Sequence, residues 1–151
     1  MSLNIVLIEP EIPNNTGNIG RLALASGSTL HLVKPFGFEI DDKRLKRAGL
    51  DYWKHLDVIY YENIDDFFKK NDNAKMVFLS SHGTQSHWDI TFEDDLFLVF
   101  GKESVGLPKT IIEAHKNDLF KIPLYSESIR SLNLANAVSI IVYEGLRQLR
   151  A

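Results

Sequence analysis

Short continuous apolar runs recur along this chain with helix-forming segments between them, and that alternation restricts the fold more than any other feature. The strand candidates are residues 5–8, 30–33, 58–61, 76–80, 96–100 and 120–122. Most lack polar alternation, as expected of parallel strands covered by helices on both sheet faces. Between and after them, helix-type segments run over 17–26 (with Gly27 as its stop), 42–48, 64–70, 108–115 and 132–149. The pattern predicts an α/β fold, a mostly parallel sheet flanked by helices. With 151 residues and no internal repeat or low-complexity linker, residues 1–151 read as a single domain.

The last helix is apolar over more than one face. Leu132, Leu134, Ala135, Ala137, Val138, Ile140, Ile141 and Val142 exceed the single stripe needed to dock on a sheet. Either the helix is buried deeply within one chain or its second face meets a partner. A symmetric homodimer is the expectation, since two-fold dimers are the commonest closed assembly.

Composition removes several chemistries. The chain has no cysteine, so disulfides, thiolate metal sites and thiol nucleophiles are excluded. The N-terminal Met-Ser-Leu-Asn has no basic segment, and no apolar stretch approaches the length of a membrane span, so the expectation is a cytoplasmic protein with no membrane contact. His82 and His87 stand in a loop without a carboxylate cluster or H-E-x-x-H pattern, so no metal is expected. The formal net charge of −3 provides no general attraction for nucleic acid. Any such contact must come from a local basic patch.

In open α/β sheets, ligands bind beyond the carboxyl ends of the strands, and three unusual segments fall there. The first, EPEIPNNTGNIGR, places two prolines, three asparagines and two glycines ahead of Arg21. Pro10 and Pro13 stiffen the strand exit, and Asn14, Asn15 and Thr16 are capping residue types. Arg21 reads either as a solvated helix arginine or as a cation for gripping phosphate. The second, FGKESVGLP, brackets Lys102, Glu103 and Ser104 between Gly101 and Gly106, with neither Walker nor dinucleotide-loop spacing. It is a glycine-rich turn or a loop whose backbone touches a small ligand. The third, IPLYSESIRSLNLANAVSI, offers Ser131 as an N-cap and sets Asn133 and Asn136 three apart on one helix face. Pattern alone reaches an α/β protein with a nucleotide-like ligand in a three-loop crevice.

Taken together, Asn15…Arg21, Gly101-Lys102-Glu103-Ser104-Val105-Gly106 and Ile122-Pro123…Ser131-Leu132-Asn133 resemble the SPOUT superfamily of RNA methyltransferases, in its SpoU branch. The branch pattern is N-x(5)-R, a glycine-bounded loop with Glu, then I-P…S-x-N, in that order. LNIVLIEPEIPNNTGNIGRL, DDKRLKRAGLDYW and SLNLANAVSIIVYE are similar to the minimal, TrmL-type tRNA (cytidine/uridine-34) 2′-O-methyltransferases. The resemblance implies a C-terminal trefoil knot holding a bent S-adenosylmethionine, no metal, and an obligate homodimer through the first and last helices. It further implies catalytic roles for Arg21, Asn15, Glu103 and Asn133, with Arg21 acting across the dimer. Leu79, Gly101, Ile122 and Ser131 match positions that hold the cofactor. The implied substrate is the anticodon region of tRNA.

The cluster Lys43, Arg44, Lys46 and Arg47 is the candidate RNA-binding patch, with Tyr52 and Trp53 either stacking on bases or packed inward. Two other readings stay open. One is a SpoU-type methyltransferase of another tRNA or ribosomal RNA position, and the other is a non-catalytic RNA-binding dimer.

Overall fold

The computed structural model describes residues 2–39 and 51–150. Its strands are β1 (Asn4–Ile8), β2 (Thr29–Val33), β3 (Val58–Tyr61), β4 (Met76–Leu79), β5 (Gln85–Ser86), β6 (Phe97–Phe100) and β7 (Leu119–Lys121). They form one sheet in the order β3-β2-β1-β6-β4-β7-β5. Every pairing is parallel. The helices are α1 (Pro13–Ser26), α2 (Ile64–Lys70), α3 (Lys109–Ala114) and α4 (Leu134–Arg150). The helix expected over 42–48 lies outside the described residues.

Strand alternation sorts the core into two layers. Ile5 and Leu7 of β1, Leu30 and Leu32 of β2 and Leu98 of β6 face one way, against Ile19 and Ala23 of α1 and Val138, Ile141 and Val142 of α4. Val6, Ile8, Val33, Phe78 and Val99 face the other way, against Phe67 of α2 and Ile111 of α3. Full burial of each such side chain contributes roughly 1.5–3 kcal/mol. The first and last helices therefore share one face of the sheet.

The helix starts differ from expectation. α1 begins at Pro13 rather than Gly17, because proline suits the first helical position and lacks only an N–H that would be unpaired there. α4 begins at Leu134 rather than Leu132, and Asn133 rather than Ser131 caps it. The Asn133 side-chain oxygen accepts the Asn136 N–H at 3.2 Å, and its carbonyl accepts the Ala137 N–H at 3.0 Å. Asn133 is thus a cap, not a neighbour of Asn136 on a helix face. Pro108 precedes α3 instead of opening it. Strand β5 is two polar residues with no apolar signal, paired to β7.

Within the β1–β2–β3 half of the sheet, His31 is buried in a fully ordered polar chain. Its Nε2 lies 2.8 Å from the Asn4 side-chain oxygen and its Nδ1 2.8 Å from the Tyr61 hydroxyl, which accepts from Asn71 Nδ2 at 3.2 Å. Only one arrangement of protons satisfies it: Nε2–H donates to Asn4 and Nδ1 accepts from Tyr61. The imidazole is therefore neutral in the folded state.

Burial pushes its pKa down from 6.5 to about 4, with the Asp57 carboxylate opposing the shift. The unfolded chain takes up this proton first as pH falls, so the contribution to stability is complete above about pH 6.5 and is drained between there and about pH 4. The amount is roughly 3 kcal/mol. Urea-unfolding midpoints should decline over that window, and His31→Gln, which cannot titrate, should show a flatter decline. Equal slopes for both proteins would remove His31 as the source.

Candidate functional site

Four adjacent parallel strands, β1, β6, β4 and β7, end at the same edge of the sheet, so the segments that leave them converge. They wall a cleft of about 720 Å³, within the range of small-molecule sites. Leu79, Phe100 and Phe120 supply apolar wall, while Ser80, Lys102 and Ser131 supply polar groups. Leu79, Gly101, Ile122 and Ser131, the four candidate cofactor positions, all line this cleft. A nucleoside-sized group with both apolar and polar surface fits a cleft of this volume and mixed lining.

The loop at 101–106 owes its shape to its two glycines. A Cβ on Gly101 would lie 2.0 Å from the carbonyl carbon of Gly106 and 2.1 Å from the amide nitrogen of Leu107. Gly106 itself has φ +73°, a left-handed conformation that glycine adopts without penalty. The Gly106 N–H donates to the Lys102 carbonyl at 2.9 Å and closes the base of the loop.

Glu103 projects from this loop onto the start of α1. Its carboxylate accepts the backbone N–H of Glu11 at 2.9 Å and of Ile12 at 2.8 Å, and the Asn15 side-chain amide at 3.2 Å. Ile12 has no polar side chain with which to cap α1, so the acceptor comes from a distant segment, where a negative charge also complements the helix dipole. Asn15, buried in the first turn, accepts from Asn133 Nδ2 at 3.1 Å. One hydrogen-bonded chain thus runs from Asn133 through Asn15 to Glu103 and joins all three segments singled out in the sequence.

Arg21 is not part of that chain. It is exposed on α1, outside the cleft lining, with its guanidinium 5.8 Å from the centre of the Tyr52 ring. Tyr52 is fixed in turn by donating its hydroxyl to the Gly17 carbonyl at 2.6 Å, and burial raises its pKa, with Arg21 opposing. Trp53 packs against Gly20, where a Cβ would come within 2.5 Å of its ring. Both aromatics are therefore packed onto α1, the inward-packed alternative of the two that the sequence left open. Lys43, Arg44, Lys46 and Arg47 lie outside the described residues. Among the described residues, no group of three or more His, Asp or Glu side chains is placed to hold a metal ion.

Sequence reasoning missed a second set of ties. Lys102 Nζ lies 3.3 Å from the Glu9 carboxylate, and Glu9 has φ 52°, unusual for a residue with a side chain. The Glu11 carboxylate accepts both the N–H of Ser104 at 2.9 Å and its hydroxyl at 2.6 Å. The Ser104 hydroxyl, then its N–H, hold the Glu11 pKa below the usual carboxylate value. No local signal marks these pairs, because their members are separated by most of the chain.

The family model for the SpoU rRNA Methylase family matches residues 2–143. The chain is 48% identical to the tRNA (cytidine(34)-2′-O)-methyltransferase of Saccharophagus degradans over 147 residues, covering 97% of this chain and 95% of that one. A solved structure described as giving insight into the 2-OH methylation of C/U34 on tRNA superposes with TM-score 0.91 at 41% identity, covering 99% of this chain and 97% of the other. An AdoMet-bound rRNA methyltransferase from Sinorhizobium meliloti superposes with TM-score 0.83 at 26% identity, covering 98% of this chain and 57% of that one.

Gly101→Ala should force the loop base apart, because the clash is with backbone and no side chain can rotate away. Urea unfolding should register a loss of about 1–3 kcal/mol, the usual range for overpacking. A variant as stable as the parent would show that the loop base is not pinched as described.

Proposed function

This chain belongs to the SpoU rRNA Methylase family, and we propose that it transfers a methyl group from S-adenosylmethionine to the 2′-oxygen of the wobble nucleotide, position 34, of tRNA. The observation that carries this reading is the near full-length likeness to the Saccharophagus degradans enzyme. It is supported by the convergence of Asn15, Glu103 and Asn133 at one cleft. Bound S-adenosylmethionine supplies an electrophilic methyl on a sulfonium, and the leaving group is a neutral thioether that needs no acid.

The residues proposed to hold it are Leu79, Gly101, Ile122 and Ser131, all in the cleft lining, working largely through backbone groups. The C-terminal knot implied by the family belongs to this proposal, in which the segments at 101–106 and 122–132, whose residues line the cleft, would hold the cofactor. Asn15, Glu103 and Asn133 are assigned to the framework that orients the reacting groups.

A ribose hydroxyl is a weak nucleophile and must shed its proton in or near the transition state. Arg21 is a poor base for it, since guanidinium stays protonated in proteins. Its fork of donors is suited to holding the target phosphate and stabilising developing negative charge on the 2′-oxygen. Because Arg21 stands outside its own cleft, the proposal has it serve the cleft of a second copy. The helices that would meet are α1 and α4, which share one face of the sheet and leave Leu24, Ile140 and Tyr143 exposed. Ile140 and Tyr143, three apart, form one strip of α4 opposite its buried Ile141 and Val142.

Pairing would also double the number of Lys43, Arg44, Lys46 and Arg47 cations per molecule, an electrostatic footing for the tRNA anticodon region on an acidic chain. Substrate and cofactor of this kind belong to the cytoplasm. Among the described residues, no helix is long and apolar enough to cross a membrane.

Methyl transfer to bulk tRNA followed by mapping of the modified nucleotide tests the reading, and 2′-O-methylation at a different position would overturn the assignment to position 34. Arg21→Ala should abolish turnover while leaving S-adenosylhomocysteine affinity within about twofold, because the residue stands outside the cleft lining and its proposed partners are the RNA phosphate and the developing charge on the 2′-oxygen. Lys43→Glu with Arg47→Glu should weaken tRNA binding and reduce its salt dependence. Unchanged affinity at moderate salt would take the basic segment out of the RNA interface.

A further inference from the structure

The loop at 101–106 is pinched at its base and protrudes at its tip, where Val105 is 73% exposed. Two carboxylates running in opposite directions hold that tip. Glu103 leaves the loop and takes the amides of residues 11 and 12, whereas Glu11 leaves the α1 lead-in and takes the amide and hydroxyl of Ser104 on one oxygen. Ser104 lines the cleft, and Glu11 does not. Glu11 therefore stands behind the cleft wall and reaches the cleft through Ser104.

We propose that Glu11 is a positioning residue for methyl transfer, acting through Ser104 to hold the tip of the cofactor loop at a fixed orientation to the start of α1. The proposal rests on the methyltransferase reading above. Its physical basis is rotational. Glu103 anchors the tip to the amides of residues 11 and 12 and to Asn15 Nδ2, but through one flexible side chain, which leaves the residues beyond it room to swing. A second link, from the other strand exit and in the opposite direction, removes the swing. The Lys102–Glu9 pair at 3.3 Å restrains the loop base from the same side.

The Ser104–Glu11 contacts are solvent-exposed, so their contribution to folding is small. Their contribution to rate need not be, since a misplacement of about 1 Å can slow a reaction about 100-fold. That difference separates a positioning role from a merely structural one.

The test compares kcat at saturating S-adenosylmethionine and tRNA, together with thermal midpoints, for wild type, Glu11→Ala, Ser104→Ala, the double variant and Glu11→Gln. Each single alanine variant should lose about tenfold or more in kcat with a nearly unchanged midpoint. The double variant should be no slower than the worse single one, because the two residues form one link. Glu11→Gln, whose amide oxygen still accepts from Ser104, should recover most of the loss.

Single variants within about twofold of wild type, or losses that multiply in the double variant, would overturn the proposal. Glu11→Gln as slow as Glu11→Ala would overturn it too, in favour of a role that needs the charge. A wild-type protein that transfers no methyl group to tRNA would instead overturn the functional reading on which it stands.

Discussion

The Glu103 carboxylate is the joint on which the site depends. α1 begins at an isoleucine N-cap and a proline, neither of which offers a side-chain acceptor to the amides of the helix entrance. Those amides find their partner on a loop some ninety residues away in sequence, across 2.8–2.9 Å. Once that bond is made, the cleft wall and the helix start move as one body. Asn15 extends the joint to Asn133, which also caps α4, so the starts of the first and last helices are referenced to the same carboxylate. The parallel sheet makes this possible by delivering β1, β6, β4 and β7 to a common edge.

What the sequence disclosed follows the range of the forces involved. Strands at 5–8, 30–33 and 96–100 are legible because burial on both faces demands a near-continuous apolar run, and 58–61 shows such a run although Ile59 and Tyr60 of that edge strand are exposed. The start of α1 is not legible in the same way. Asn14, Asn15 and Thr16 look like local caps, yet the charge that satisfies this entrance comes from Glu103, outside any local window. Ser131 reads as the cap of α4 on sequence grounds, yet Asn133 caps it, its side-chain oxygen accepting the Asn136 N–H while its amide donates to Asn15. Asn15, Glu103 and Asn133 are recognisable as motif members, but nothing in their spacing tells which touches which. Glu11 and Ser104 leave no trace at all, since a carboxylate two residues after another near a proline is ordinary surface chemistry.

The two halves of the sheet are held by opposite means. Around the cleft, the carboxylates of Glu103 and Glu11 are satisfied by backbone amides, an asparagine amide and a hydroxyl. In the β1–β2–β3 half, His31 is satisfied without charge by a chain of neutral groups, Asn71 to Tyr61 to His31 to Asn4, in one direction of donation. A slip of β2 by one residue would turn His31 toward the α1–α4 layer and strand three polar groups. The network therefore specifies register as well as adding stability. It keeps β1, whose exit carries residues 9–12, in a fixed place beneath the cleft.

α1 then carries that fixed origin outward. Arg21 lies six residues after Asn15, about 9 Å along a helix axis, and a helix does not compress over that distance. Its backbone position is set by the bonds at Glu103 and by the packing of Ile19 and Ala23 on the sheet. Its side chain is restrained by the Tyr52 ring, which is itself pinned through its hydroxyl to Gly17 on the same helix. Were it presented to a second copy, as proposed, the guanidinium would be registered against the cleft of its own chain. Two clefts that each lend the other a cation would then share one mechanical reference, and loosening the loop in one chain would misplace the cation serving its neighbour.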